Sequence, residues 1–138
     1  MCPGGKPRVL IVDDEAPFRM VVAEILEQSR LEVRYAADVL EAMGVLRSWR
    51  PDIVLLDVML PGTSGLALLK RLRADPKWKD LPIVIVSALT GKGDREAGQA
   101  AGANGYLTKP FTSSELRRVL RSYVQILGTA ELQADRAS

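Results

Sequence analysis

The chain has 138 residues, of which 47% are hydrophobic and 26% are charged, and its formal net charge is +2. This size and composition predict one globular domain whose core needs no disulfide or metal for its stability. The small net charge argues against direct binding to nucleic acid or to an anionic membrane.

Two residue types are scarce, and their scarcity excludes further classes of protein. The chain has no histidine, which rules out a Ser-His-Asp triad, an imidazole metal site and a phosphohistidine carried by this chain. The one cysteine, Cys2, cannot form an internal disulfide and fits a reducing compartment. No secretory signal surrounds it, and no apolar run approaches the ~20 residues of a membrane span. We therefore expect a cytoplasmic protein in which residues 1–7 are disordered.

The first half of the chain predicts strands that alternate with helices. The first strand is wholly apolar, Val9-Leu10-Ile11-Val12, and it ends in the carboxylates Asp13-Asp14-Glu15. Asp14 is the expected N-cap of the next helix. The apolar stripe of that helix consists of Phe18, Val21, Val22 and Ile25. Residues 31–35 alternate between apolar and charged side chains, which is typical of a half-exposed edge strand.

The third strand predicts a parallel sheet. It follows a helix that begins at Asp38 with Glu41 in its first turn. Its four apolar residues, Ile53-Val54-Leu55-Leu56, are followed by Asp57, and such strands are buried on both faces between layers of helices. An ionised carboxylate is costly to bury without partners, so Asp57 is either hydrogen-bonded into the following loop or part of a site.

The second half of the chain continues the alternation. Ile83-Val84-Ile85-Val86 is a fourth apolar strand that ends at Ser87, and the short strand Gly105-Tyr106-Leu107 ends at Thr108-Lys109-Pro110. Between them, residues 91–105 hold five of the eleven glycines, which weakens the helix expected there.

The helices of this half have recognisable starts. Ser64 is the expected cap of the third helix, and Thr112 with Glu115 forms a capping box for the last one. The basic side of the last helix consists of Arg117, Arg118 and Arg121. It is either a solvated face or a surface that docks a partner, and the solvated face is the simpler interpretation. We expect the folded domain to span residues 8–127, and residues 128–138 to be a polar tail or the start of a linker.

Five strands alternating with five helices predict a doubly wound α/β sheet. Right-handed crossovers bring the carboxyl ends of parallel strands to one edge, where ligands bind in such folds. The polar residues that follow directly after predicted strands are Asp13, Asp14, Asp57, Ser87 and Lys109. We expect them to converge at this edge, although they are far apart in the sequence.

The carboxylates of this set repel one another unless a cation neutralises them. Oxygen ligands without histidine or cysteine favour a hard ion, Mg²⁺ or Mn²⁺. No glycine-rich motif cradles a nucleotide, so the predicted site accepts a lone phosphoryl group. Asp57 is the candidate nucleophile, Lys109 supplies positive charge, and Ser87 a hydrogen bond. Taken alone, each residue could instead be a helix cap, a strand-end hydroxyl or a solvated lysine.

Four motifs, in this order, resemble the receiver domain of two-component response regulators, including the chemotaxis regulators. They are Asp13-Asp14, Leu56-Asp57-Val58-Met59-Leu60-Pro61-Gly62, Ser87-Ala88 and Tyr106-Leu107-Thr108-Lys109-Pro110-Phe111. The resemblance covers about residues 8–127 and implies a flavodoxin-like sheet with strand order 2-1-3-4-5. It also implies that Asp57 accepts a phosphoryl group from the phosphohistidine of a histidine kinase or a histidine phosphotransfer protein.

The resemblance assigns roles to the metal and to its ligands. It implies Mg²⁺ bound directly by Asp14, Asp57 and the Met59 carbonyl, with Asp13 acting through water. Lys109 is implied to contact the phosphoryl group, and the Lys109–Pro110 peptide bond to be cis.

The resemblance also implies a switch. The Ser87 hydroxyl moves toward the phosphoryl group, the Tyr106 ring turns inward, and the surface around the fourth and fifth helices changes. The implied partners are a downstream protein or an output domain missing from this chain, and a second copy through the fourth helix, fifth strand and fifth helix. No enzymatic activity is expected beyond the chain's own phosphorylation and slow autodephosphorylation.

Two alternatives stay open. A pseudo-receiver docks partners without phosphorylation. An aspartyl-phosphate phosphatase of the haloacid dehalogenase type places an acid/base Asp two residues after its nucleophile, where this chain has Met59. Met59 and Leu89 take positions that flank the phosphoryl group in receiver domains, and neither can orient an attacking water. We therefore expect a long-lived phosphoaspartate.

Overall fold

A computed structural model describes residues 7–28, 31–60, 64–88 and 91–123 of the chain. Strands and helices alternate: β1 (Arg8–Val12), α1 (Ala16–Gln28), β2 (Glu32–Ala36), α2 (Val39–Ser48), β3 (Ile53–Leu56), α3 (Gly65–Ala74), β4 (Ile83–Ser87), α4 (Lys92–Ala101), β5 (Gly105–Thr108) and α5 (Ser113–Tyr123). All strand pairs are parallel, in the order β2-β1-β3-β4-β5. The predicted fold and strand order are confirmed. Within the described ranges, no helix has the length and apolar character to span a membrane.

The apolar strands are buried because helices cover both faces of the sheet. Successive residues of a strand point to opposite faces, and β1 shows this directly. Leu10 and Val12 pack with α2, α3 and α4, whereas Val9 and Ile11 pack with α1 and α5. Each of these four side chains is fully buried. The continuous apolar runs of the sequence therefore reflect a sheet with a core on each side.

Helix starts follow the predicted capping residues. Asp38 and Ser64 each accept a backbone N–H from the first turn of the helix that follows, at 2.8 and 3.1 Å. Thr112 and Glu115 exchange side-chain to backbone hydrogen bonds of 3.0 and 3.1 Å, as the capping box requires. These side chains satisfy N–H groups that have no partner within the helix.

Two predictions for α1 are wrong. The helix begins two residues after Asp14, which therefore is not its N-cap. Val21, predicted in the apolar stripe, is 57% exposed, whereas Val22 and Leu26 are fully buried. Residues four apart lie on the same face of a helix, so the buried stripe passes through Val22 and Leu26 and leaves Val21 beside it. The rotation of α1 on the sheet decides this, and the apolar pattern alone does not.

One arginine of the predicted solvated face is buried. Arg117 is 5% exposed, and it directly follows Leu116, which is fully buried against the sheet. Its long apolar stem suits this position at the edge of the core. Of the three arginines of that face, Arg118 is exposed and Arg121 is half-buried.

Pro7 belongs to the folded part of the chain, although it was predicted to lie in a disordered segment. It is buried, and its carbonyl accepts the N–H of Glu32 at 2.9 Å. Residues 1–6 and 124–138, including the predicted continuation of α5 to Leu127, lie outside the described residues. The domain bounds 8–127 and 128–138 stay predictions.

The glycine-rich segment forms a helix, and two of its glycines have a clear structural reason. Gly98 of α4 lies against Ile85 and the Tyr106 ring, where an added Cβ would come within 2.5 Å of the Ile85 side chain. Gly102 ends the helix with φ 107°, a left-handed conformation that favours glycine. The glycines therefore allow α4 to approach the sheet closely and to end.

We predict opposite effects of alanine at two helical glycines. A Cβ at Gly65 would lie 2.2 Å from the Asp57 carbonyl oxygen and 2.8 Å from the Val58 Cα. Gly65→Ala is therefore expected to lower the free energy of unfolding by about 1–3 kcal/mol or more. Gly44→Ala, in α2 with nothing within 4 Å of its Cβ position, is expected to raise it by up to about 1 kcal/mol. Urea unfolding of both variants measures the change in the free energy of unfolding, and an equal change in the two variants would contradict the prediction.

Candidate functional site

Three predicted site residues follow directly after three strands. Asp13 follows β1, Asp57 follows β3 and Lys109 follows β5. Their backbone N–H groups extend the parallel ladders by one residue: Asp13 donates to Ala36, Asp57 to Val12 and Lys109 to Ser87, at 2.8–2.9 Å. The sheet therefore fixes the backbone from which each functional side chain starts.

The side chains meet at the Lys109 ammonium. Its Nζ donates to Asp13 Oδ2 at 2.6 Å, to Asp57 Oδ2 at 3.1 Å and to Glu15 Oε1 at 3.1 Å. A lysine ammonium has three N–H donors, so each carboxylate receives one. The Asp13 side chain is 1% exposed and that of Asp57 7%, whereas Glu15 is 62% exposed. One largely buried cation thus pairs with acids from two different loops.

Backbone N–H groups bind the remaining oxygens of the two buried carboxylates. Asp13 Oδ1 accepts the N–H of Glu15, and Asp57 Oδ1 accepts the N–H of Met59, both at 2.9 Å. Each buried aspartate therefore has one oxygen on the backbone and the other on Lys109. These bonds offset the cost of removing the carboxylates from water.

Burial and pairing act on the pKa values in opposite directions. Burial raises the pKa of Asp13, and the hydrogen bond from Lys109 offsets this only in part. Burial alone would lower the pKa of Lys109, but its hydrogen bonds to Asp13, Asp57 and Glu15 outweigh that effect and hold the pKa above its ordinary value of 10.5. Lys109 therefore keeps its positive charge throughout the neutral pH range.

An aromatic ring covers the same ammonium. The Phe18 ring centroid lies 4.0 Å from Lys109 Nζ, and Phe111 meets Phe18 edge-on, with centroids 5.6 Å apart and planes at 88°. The Lys109–Pro110 peptide bond is cis, as expected. The sequence did not predict Phe18 as a site residue, because its place in an apolar helical stripe is equally typical of the core.

The two predicted switch residues lie on the neighbouring strands β4 and β5. Ser87 is fully buried and is paired in register with Thr108, while Tyr106 is paired with Ile85. The half-buried Tyr106 ring has the Arg95 guanidinium 4.9 Å from its centroid, and Arg95 also donates to Thr108 Oγ1 at 2.8 Å. The roles of Ser87 and Tyr106 in switching stay predictions.

The acidic residues that the structure brings together fit a hard cation. Asp13, Glu15 and Asp57 each offer a carboxylate oxygen, and these oxygens lie within 4.8 Å of one another. Oxygen donors at this spacing suit Mg²⁺ or Mn²⁺. Asp14, predicted to bind the metal directly, is exposed and does not belong to this group, while the Met59 side chain is 60% exposed.

Glu15 is the site residue that the sequence prediction omitted, although a signal for it was present. It is the third acid in a row after β1. A run of acids shows which loop is acidic, but it does not show which of the acidic side chains turns toward Asp57 and Lys109. Direct metal binding by Asp14 and by the Met59 carbonyl stays a prediction.

Sequence comparison identifies the family. The model of the response regulator receiver domain matches residues 9–121. The chain is 39% identical over 126 residues to the phosphate regulon transcriptional regulatory protein PhoB of Pseudomonas aeruginosa, a match that covers 91% of this chain and 55% of that protein. It is 40% identical over 116 residues to the response regulator PleD of Caulobacter vibrioides, covering 83% of this chain and 25% of PleD. The chain thus spans about half the length of PhoB, and less of PleD.

Solved structures with the same fold agree with this family assignment. The chemotaxis protein CheY4 of Vibrio cholerae superposes with a TM-score of 0.82 at 32% identity, covering 87% of this chain and 100% of that one. The receiver domain of a sensor histidine kinase from Pseudomonas aeruginosa, solved with a magnesium ion in its active-site cleft, gives a TM-score of 0.78 at 32% identity and covers 86% of this chain and 97% of that one. The chain therefore belongs to the receiver domains of two-component response regulators.

Proposed function

We propose that the chain is a phosphorylation-dependent switch in which Asp57 accepts a phosphoryl group from the phosphohistidine of a histidine kinase or histidine phosphotransfer protein. One observation carries the proposal: Asp57 is a buried carboxylate at the carboxyl end of the central strand, bonded to Lys109 through one oxygen. A structural aspartate needs no cation that is shared with two further acids. A carboxylate that accepts a phosphoryl group does need such a cation, because the phosphoryl group adds negative charge beside it.

The transfer needs one bond to form and one to break. A carboxylate oxygen of Asp57 forms the P–O bond, and the P–N bond to the donor imidazole breaks, so that the nitrogen keeps the electron pair and takes up a proton. Lys109 Nζ lies 3.1 Å from Asp57 Oδ2 and can reach an oxygen on phosphorus with a small movement. The Ser87 hydroxyl is the second proposed donor to that group.

Mg²⁺, or Mn²⁺, is the proposed cofactor and would neutralise the charge that collects between the carboxylates and the phosphoryl oxygens. In this proposal Asp14, Asp57 and the Met59 carbonyl would supply its direct ligand oxygens, and Asp13 would act through water. The geometry adds Glu15, whose exposed side chain shares Lys109 with the two buried acids. We propose no turnover of an external substrate, only the chain's own phosphorylation and slow dephosphorylation.

The proposed output surface comprises α4, β5 and α5. Ser87 and Tyr106 lie on paired strands, and Tyr106 packs against Gly98 of α4, so a change at Ser87 has a short packed route to α4. The PhoB relatives are named transcriptional regulatory proteins and extend well beyond the matched region. We therefore propose that the switch acts through an output domain, a downstream protein or a second copy that docks on this surface.

Incubation with acetyl phosphate and Mg²⁺ tests the proposal by intact mass. The protein is expected to gain one phosphoryl group, while Asp57→Asn and a metal-free sample gain none. Asp75→Asn, which changes an exposed acid at the end of α3, is the matched control and is expected to react as the unchanged protein does.

Other outcomes of this experiment favour the alternatives. An unmodified mass despite measurable Mg²⁺ binding would contradict the proposal and favour a pseudo-receiver that docks partners constitutively. Release of many equivalents of phosphate per chain would favour an aspartyl-phosphate phosphatase.

We also predict that the phosphoaspartate persists for minutes or longer. Met59, two residues after Asp57, is exposed and apolar and cannot orient an attacking water. Met59→Gln adds hydrogen-bonding groups there and is expected to shorten the lifetime about 2- to 10-fold. Met20→Gln, a change at another exposed methionine, is expected to leave the lifetime unchanged. Decay of the phosphorylated mass over time measures both, and loss within seconds from the unchanged protein would refute the prediction.

A further inference from the structure

The Lys109 ammonium has one contact that its role in phosphoryl transfer does not explain. Its distance to the Phe18 ring centroid is 4.0 Å. In the described part of the chain, the other cations above aromatic rings lie at 4.9 to 5.4 Å. Phe18 comes from α1, and Phe111, which meets it edge-on, comes from the loop after β5. Two elements from opposite ends of the sequence therefore build an aromatic wall beside the site.

We propose that Phe18 is a positioning residue for Lys109, whose ring face keeps the ammonium in the site while its hydrogen-bond partners change. The inference rests on the proposed function in one respect: phosphorylation requires Lys109 to exchange a carboxylate for a phosphoryl oxygen. The contact itself exists in the unphosphorylated chain and can be tested there.

The two kinds of contact respond differently to movement of the ammonium. Its bonds to Asp13, Asp57 and Glu15 use all three N–H groups, and each weakens steeply when its angle changes. The ring attracts the cation through its quadrupole, which requires proximity to the face and no particular N–H direction. An ammonium can therefore move over the Phe18 face and still be attracted to it.

The ring also limits access of water and the freedom of the lysine. Lys109 is only 13% exposed, although its long side chain ends beside a loop in which Glu15 is open to solvent. A lysine side chain loses much rotamer entropy when it is held in one place. The Phe18 face confines the ammonium to the site before the phosphoryl group arrives, which reduces the entropy that remains to be lost during transfer.

Four variants separate positioning from ordinary packing. Phe18→Leu and Phe18→Met keep an apolar side chain but remove the ring, whereas Phe18→Tyr retains the ring. Val119→Ala is the matched control, because Val119 of α5 packs against the same core cluster as Phe18. Urea unfolding shows which variants fold and how much stability each has lost, and either ring-free variant suffices for the test.

The first readout needs no phosphorylation. The side-chain ammonium of Lys109 is observed by ¹H–¹⁵N NMR in the unphosphorylated protein and is assigned by its absence in Lys109→Met. We expect a resolved signal in the unchanged protein, in Phe18→Tyr and in Val119→Ala. In Phe18→Leu or Phe18→Met, we expect the signal to broaden or disappear, because the ammonium exchanges with water.

The second readout is the initial rate of phosphorylation by acetyl phosphate at saturating Mg²⁺. The ring-free variants are expected to react about 3- to 30-fold more slowly, and Phe18→Tyr and Val119→Ala at the rate of the unchanged protein. An unaltered ammonium signal in a folded ring-free variant overturns the inference, as does an equal loss of rate in Val119→Ala. If the unchanged protein takes up no phosphoryl group, the proposed function fails, while the NMR comparison still decides whether Phe18 positions Lys109.

Discussion

The bond network around the Lys109 ammonium is the constraint on which this site depends. Asp13 and Asp57 are almost fully buried at the ends of adjacent strands, where two carboxylates without a cation would repel each other and lack solvation. Lys109 reaches both from the end of β5, on the far side of β4 in the sheet. The backbone bonds that extend the ladders to these residues fix the distances that allow one ammonium to serve both acids.

The parallel sheet supplies a rigid frame, and the loops at its carboxyl edge supply the chemistry. Helices on both faces bury β1, β3 and β4, so the strand ends cannot move without disturbing two cores. The side chains beyond those ends are less confined: Glu15 and Met59 are largely exposed. The proposed switch therefore has fixed acceptor and cation positions, surrounded by groups that can rearrange when a phosphoryl group or a metal ion binds.

The route from the site to the surface of α4 is short. β4 and β5 pair so that Ser87 lies opposite Thr108 and Ile85 opposite Tyr106. Arg95 of α4 joins this pair of strands from outside, bonded to Thr108 and placed over the Tyr106 ring. Because Gly98 of α4 lies beside Ile85 and the Tyr106 ring, α4 is in a position to respond when that ring moves. In the proposed mechanism, close packing carries the signal.

The sequence by itself determined the elements and the main site residues. Uninterrupted apolar runs defined β1, β3 and β4, local caps defined the starts of α2, α3 and α5, and the residues after three strands were Asp13, Asp57 and Lys109. These features depend on short stretches of chain. The tertiary structure alone decided that Glu15 rather than Asp14 joins the carboxylates, that the Phe18 ring covers Lys109, and that Arg117 is buried while Val21 is exposed. Each of these depends on how a loop turns or how a helix is rotated on the sheet, and contacts between residues far apart in the sequence set both.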